Sequence, residues 1–293
     1  MENREVLIRT ENLTHVYGAG TPFERAAIQD VCLQIEQGDF IGVIGHTGSG
    51  KSTLMQHLNA LMKPTSGKIY FKGEDIWQKG YDLHAMRFHV GLVFQYPEYQ
   101  LFEETVAKDI AFGPKNMGLS KDEIEERVLE SIRMVGLSKE ILSQSPFDLS
   151  GGQKRRVAIA GIMAMRPNIL ILDEPTAGLD PCGREEILAQ IRAYHQTAGN
   201  TVLLVSHSME DIAKNAQKVL VMQDGKLVLF DSTQRVFEQA DELVRIGLDV
   251  PQLTRVFLDL RKKGYDVERS VFSPERAAEA LMDYMKKKGR SSV

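Results

Sequence analysis

Residues 45–52 read Gly-His-Thr-Gly-Ser-Gly-Lys-Ser, a G-x-x-x-x-G-K-S run between the apolar stretch Phe40 to Ile44 and a helical pattern that starts at Lys51. A strand, a glycine-rich loop and a helix in that order form a cradle for phosphate. The glycines let backbone N–H groups close around phosphate oxygens, and the helix N-terminus adds partial positive charge. Lys51 supplies charge to the β- and γ-phosphates of a nucleotide, and the Ser52 hydroxyl suits Mg²⁺. The candidate nucleotide-binding residues are therefore Gly45, His46, Thr47, Gly48, Ser49, Gly50, Lys51, Ser52 and Thr53. A chance glycine-rich turn is the bland alternative, and the flanking strand and helix count against it.

A second feature belongs with the first. Ile169-Leu170-Ile171-Leu172-Asp173-Glu174 is an apolar strand ending in two carboxylates, which sets them at the carboxyl edge of a sheet, where α/β proteins bind ligands. Asp173 suits Mg²⁺ through water, since hard cations take oxygen ligands. Glu174 is then placed to orient or deprotonate an attacking water. Alone, the pair reads equally well as a solvated acidic turn; beside a phosphate loop, catalysis is the stronger reading.

The pattern along the chain is α/β. Short strands are expected at Val6 to Arg9, Ala27 to Ile35 and Phe40 to Ile44, forming an N-terminal antiparallel β layer that leads into the core. Leu54, Leu58 and Leu61 mark one helix face, closed by Pro64 to Gly67 before a strand from Lys68 to Phe71. A buried strand at Val90 to Phe94 precedes an inserted helical subdomain at about 96–165, which includes the amphipathic run Ser120 to Val135. The core resumes with Ile169 to Leu172, a helix from Pro181 to about Gln196, a strand at Thr201 to Val205 and a hairpin turning at Asp224-Gly225. Alternating strands and helices imply a mostly parallel core sheet. Residues 1–230 thus read as one nucleotide-binding domain and 231–293 as a C-terminal helical extension, with Pro251 and Pro274 each opening a helix.

Composition narrows the function. With 43% apolar and 26% charged residues the chain can bury a core, and no stretch approaches the apolar length that spans a bilayer. The start, MENREVLIRT, is too charged for the apolar part of a signal peptide, so a cytoplasmic chain is expected. Cys32 and Cys182 lack metal-ligand spacing and read as reduced thiols. A formal charge of −4 argues against a general nucleic-acid binder. The run Lys286-Lys287-Lys288 with Arg290 reads as a solvated helix end rather than a lipid-binding patch.

Leu149-Ser150-Gly151-Gly152-Gln153, upstream of the carboxylate strand, resembles the LSGGQ signature of the ABC ATPase family, and the resemblance covers about residues 5–230. It implies the P-loop NTPase ABC ATPase fold, with ATP and Mg²⁺ as cofactors. Physically, Ser150 suits a helix N-cap, with Gly151 and Gly152 leaving amides bare as a second anion cradle. In the family, the signature (here Ser150, Gly151, Gly152 and Gln153) closes over ATP held by a partner's phosphate loop, so an ATPase dimer with two composite sites is implied. The resemblance also implies that Gln95 touches Mg²⁺ and senses a membrane partner, that Ala177 to Asp180 communicates across the dimer through Asp180, that His207 contacts the γ-phosphate, and that Tyr17 stacks on adenine. The pair His46-Thr47 departs from the commonest wording of the loop, which acts chiefly through its backbone.

Within the family, Tyr17 to Arg25 and Phe94 to Phe102 through Phe112-Gly113-Pro114 resemble the energy-coupling-factor transporters, in particular the second of their two related ATPases. That resemblance implies a heterodimer with a related ATPase subunit, a transmembrane coupling protein and an exchangeable substrate-binding membrane subunit. It places the chain peripherally on the cytoplasmic face of the cell membrane, powering uptake of vitamins or metal ions. Glu98, Glu103 and Glu104 are expected to form an acidic groove for arginines of the coupling protein. A conventional ABC importer ATPase, or a soluble ABC ATPase of repair or translation, remains the alternative.

Overall fold

The computed structural model describes residues 4–268 and 271–290, the last four in backbone alone, so the side chains of Lys287, Lys288 and Arg290 lie outside the described residues. Two long strands, β1 (Val6–Tyr17) and β2 (Arg25–Glu36), pair antiparallel. After β3 (Phe40–Ile44) and α1 (Lys51–Leu58), the chain returns to the first layer as β4 (Ser66–Phe71) and β5 (Glu74–Asp75), giving the sheet order β2-β1-β4-β5. β1 runs well past the expected Arg9. A register shift between Thr10 and Leu13, with Asn12 at φ 47°, breaks the alternation by which a strand is recognised. In α1, Leu54 and Leu58 are buried, but the helix stops at Leu58, so Leu61 falls outside it and is exposed.

α2 (Leu83–His89) leads into β6 (Val90–Val93). The helical subdomain comprises α3 (Val106–Asn116), α4 (Lys121–Met134) and α5 (Gly151–Met163), joined by short 3-10 turns rather than by continuous helix. Serine and threonine hydroxyls cap each start: Thr105 accepts from Lys108 N, Ser120 from Glu123 N and Ser150 from Gln153 N. β7 (Ile169–Asp173), α6 (Pro181–Ala198), β8 (Thr201–Val205), α7 (Met209–Asn215), β9 (Lys218–Gln223) and β10 (Lys226–Ser232) complete the core.

The second sheet has the order β10-β9-β3-β8-β7-β6. Its neighbours pair in parallel except β10, which folds back on β9 through Asp224 (φ 48°) and Gly225 (φ 78°), the positive-φ pair a tight hairpin requires. Both faces are covered, which explains the unbroken apolar runs. Ile169, Ile171, Leu203 and Val205 pack with Leu54, Leu58 and the first sheet; Leu170, Leu172, Val202 and Leu204 face the helical subdomain. α8 (Thr233–Glu238) and α9 (Ala240–Arg245) bury Val236, Phe237 and Leu243 in that second core. α10 (Gln252–Lys262) and α11 (Pro274–Arg290) add a small cluster of Phe257, Val267, Val271 and Ala277.

Gly42 sits at the middle of β3, where α7 lies directly on the sheet. A Cβ there would stand 2.5 Å from Ile212 Cγ2 and 3.2 Å from Ala216 Cβ. Gly42→Val should cost about 1–3 kcal/mol by overpacking. Chemical denaturation of the nucleotide-free protein measures it, and an unchanged midpoint would mean that α7 yields freely.

Candidate active site

The loop after β3 is shaped by backbone that other residues could not adopt. At Gly45 (φ 155°) a Cβ would meet Met222 O at 2.4 Å, and at Gly50 (φ 99°) it would meet Ala27 O at 2.5 Å. Gly225 N, at the tip of the β9–β10 hairpin, donates to Ser49 O at 3.1 Å and ties the loop to the sheet. No side chain caps α1, so its first N–H groups point into the loop without a protein acceptor from a cap. Lys51 lies back across the loop, with Nζ donating to Gly45 O at 2.7 Å and to His46 O at 3.0 Å. Burial pushes its pKa down, while Glu174 and Asp173 oppose that shift.

Those two carboxylates end β7, one strand beyond β8 from the phosphate loop. Burial and the neighbouring Asp173 charge push Glu174 up to about 7, against the pull of Lys51. Glu174 also stands at φ 52°, unusual for a residue with a side chain. Its N–H donates to Val205 O at 3.1 Å and its carbonyl accepts from Ala177 N at 3.1 Å. His207, just past β8, brings Nε2 to 3.2 Å from Glu174 Oε1, and burial followed by the Lys51 charge pushes its own pKa down. Lys51, Asp173, Glu174 and His207 thus meet at the carboxyl ends of three adjacent strands.

Other expected residues distribute around this centre. Tyr17 Oη lies 3.3 Å from Thr53 Oγ1, and Tyr17, Arg25, Ala27, Gly48, Lys51 and Thr53 border a cleft of about 230 Å³. Arg25 was not singled out from sequence; its signal is the hairpin register that sets it opposite Tyr17. Gln95 follows β6 at the same sheet edge and is exposed. Ser150, Gly151, Gly152 and Gln153 open α5 with a reciprocal cap, Gln153 N to Ser150 Oγ at 3.3 Å and Ser150 N to Gln153 Oε1 at 3.0 Å. None of the four lines the cleft beside Lys51. Asp180 caps α6, its Oδ1 accepting from Gly183 N at 2.7 Å. Cys32 and Cys182 are both free thiols.

The expected acidic groove does not form as such. Glu98 turns inward, its two oxygens 3.0 Å and 2.7 Å from Nε and Nη2 of Arg155, and Glu104 pairs with Lys108. A buried guanidinium within reach offers Glu98 a better partner than water does. Nothing local in the sequence signals Arg155, because positions 98 and 155 lie 57 residues apart.

Residues 28–177 match the family model described as ABC transporter. The chain is 55% identical to the energy-coupling factor transporter ATP-binding protein EcfA2 of Caldanaerobacter subterraneus, over 95% of this chain and 98% of that protein. It is also 55% identical to EcfA2 of Clostridium perfringens, with the same shares covered. The chain belongs to the ABC transporter family. It is an ATP-hydrolysing ATPase of that family. Among solved structures, cbiO1 from Clostridium perfringens, part of the complex cbiONQ, superposes with TM-score 0.73 at 34% identity, covering 86% of this chain and 99% of that one. A dimeric ATP-binding cassette captured after hydrolysis with ADP and Pi gives TM-score 0.70 at 28% identity, covering 78% and 99%.

The raised Glu174 pKa predicts a pH signature in Mg²⁺-free, nucleotide-free protein. The folded state holds this proton to about 7 while the unfolded chain releases it near 4.5, so the folded state binds more protons between those values. Stability from this group is present below about 4.5 and is lost as pH rises through about 7. Denaturation of Glu174→Gln and the parent across pH 4.5–7.5 should show that slope shrinking in the variant; identical slopes would refute it.

Proposed function

We propose that the chain drives solute uptake as the ATPase of an energy-coupling-factor transporter, with Glu174 working on the attacking water. The observation that carries this is the meeting of a phosphate loop, two carboxylates and a histidine at one sheet edge. The uncapped start of α1 and the Lys51 ammonium suit the phosphates of ATP, and the exposed Tyr17 ring suits the adenine. The oxygen donors Ser52 and Asp173, with Gln95 at the same edge, fit Mg²⁺, which would offset the phosphate charge. Glu174, once ionised, accepts a proton from the water that attacks the γ-phosphorus. His207 Nε2 stands 3.2 Å from Glu174 Oε1, where it would contact the γ-phosphate. As the water oxygen adds, the bond from the γ-phosphorus to the β–γ bridging oxygen breaks, and the products are ADP and phosphate.

Two surfaces support work with partners. At the start of α5, Ser150 and Gly151 are exposed and none of the signature residues lines the cleft beside Lys51, which favours a composite site shared with a related ATPase. A cleft of about 350 Å³ between α2, β6 and the helical subdomain is lined by Phe94, Leu101, Phe102, Asp109 and Phe112. Phe102 and Phe112 are exposed at its rim, ring against ring at 5.0 Å. A mainly apolar cleft that also holds Asp109 and Arg87 suits an amphipathic helix of a transmembrane coupling protein, and a substrate-binding membrane subunit completes the assembly. No helix among the described residues is long and apolar enough to cross a membrane, in keeping with a peripheral position on the cytoplasmic face. The transported solute, of the vitamin or metal-ion class, would be chosen by another polypeptide.

Glu174→Gln should retain ATP binding while hydrolysis falls about 10²–10⁴-fold, the scale of a positioned base. Equilibrium binding and phosphate release on the same assembly test this, and near-parent turnover would refute the assignment. Ser150→Arg should leave ATP affinity at the chain's own loop within about twofold, because none of the signature residues lines that cleft. It should instead block hydrolysis of ATP held by the partner. Site-resolved labelling with a photoreactive ATP analogue reads both, and lost labelling at this chain's own loop would overturn the composite arrangement.

A further inference from the structure

Arg155 lies at the start of the second turn of α5, two residues after the signature, and its side chain is only 4% exposed. All three nitrogens of its guanidinium donate. Nε and Nη2 grip Glu98 side-on at 3.0 Å and 2.7 Å, while Nη1 donates to Ala177 O at 2.5 Å and reaches Pro175 O at 3.4 Å. The Tyr96 ring, next to Gln95 and itself at φ 56°, lies 5.9 Å from the guanidinium carbon. One buried cation therefore joins three separate segments: the turn after Gln95, the helix that starts at the signature, and the loop that leaves Glu174.

That loop needs holding. Glu174 occupies a left-handed backbone conformation, which for a residue with a side chain costs on the order of 1–3 kcal/mol and persists only where the surroundings fix it. Its own carbonyl is held by Ala177 N, and Ala177 O is held by Arg155. Burying a guanidinium solely to make an ion pair gains little over apolar packing. The two carbonyl contacts give this one a further task.

We propose that Arg155 is a positioning residue for hydrolysis: gripped by Glu98, it fixes the Pro175–Ala177 turn and so sets Glu174, making the segment after Gln95 and the catalytic carboxylate one mechanical unit. This rests on the assignment of Glu174 above. A movement of the turn carrying Glu98, such as docking of a partner would impose, reaches Glu174 through one side chain. Lysine cannot substitute, because a single ammonium cannot hold a carboxylate side-on and two carbonyls at once.

The test uses the assembled ATPase and four variants: Arg155→Met, Arg155→Lys, Glu98→Gln and the double variant Glu98→Leu with Arg155→Met. Arg155→Met should lower kcat about 10²-fold, the cost of a misplacement of about 1 Å, with the KM for ATP within about twofold of the parent. Arg155→Lys should fail to rescue it, and Glu98→Gln should give a smaller fall in kcat. The double variant decides between positioning and mere stability. Removing both charges should return the melting temperature towards the parent value while kcat stays low. Recovery of kcat along with stability would overturn the proposal, as would a parent-like kcat in folded Arg155→Met. If Glu174→Gln itself turned over normally, the fault would lie in the assignment of Glu174 instead.

Discussion

A cation and two carboxylates held out of water at the ends of adjacent strands set the terms for everything else in this molecule. Lys51 is 7% exposed and Asp173 9% exposed, and burial pushes the Lys51 pKa down while the nearby Glu174 and Asp173 oppose that shift. The sheet order makes the meeting possible: β3 carries the lysine loop, β7 carries the carboxylates, and β8 between them carries His207. Parallel strands deliver all three loops to the same edge. Such a sheet needs both faces covered, here by α1 with the second β layer on one side and the helical subdomain on the other, hence the long apolar strands and two cores. Glu174 is pushed up to about 7, first by burial and then by the Asp173 charge, even with Lys51 opposing.

Much of this was legible in sequence because each motif is local. The loop at 45–52 declares its strand and helix within a dozen residues, and Ile169 to Asp173 announces a doubly buried strand by apolar run alone. The Asp224-Gly225 hairpin and the helices opened by Pro251 and Pro274 were legible for the same reason. What escaped was non-local or irregular. β1 hid behind its bulge at Asn12, where two residues face one and the alternation is lost. Leu61 kept helical spacing after the helix had ended. Glu98 read as a free surface carboxylate because its partner is 57 residues away on another element. Arg25 entered the cleft through a hairpin register that composition does not encode.

The direction in which Glu174 leaves β7 follows from the pleat of that strand. Ile169 and Ile171 face the side where α1 packs, Leu170 and Leu172 face the helical subdomain, and Asp173 therefore falls on the side of Lys51. An unbroken pleat would send Glu174 to the Leu172 side, away from the phosphate loop. The positive φ at Glu174 breaks that alternation and turns the carboxylate back towards Lys51 and His207. The backbone strain is thus the means by which two consecutive residues serve one side of the sheet. It is sustained from both flanks, by Val205 O on the neighbouring strand and by the Ala177 turn beyond. Strand β8 consequently has two duties. It presents His207, and through Val205 it pins the backbone whose side chain His207 meets, so any change in the spacing of β7 and β8 alters the carboxylate and its histidine together.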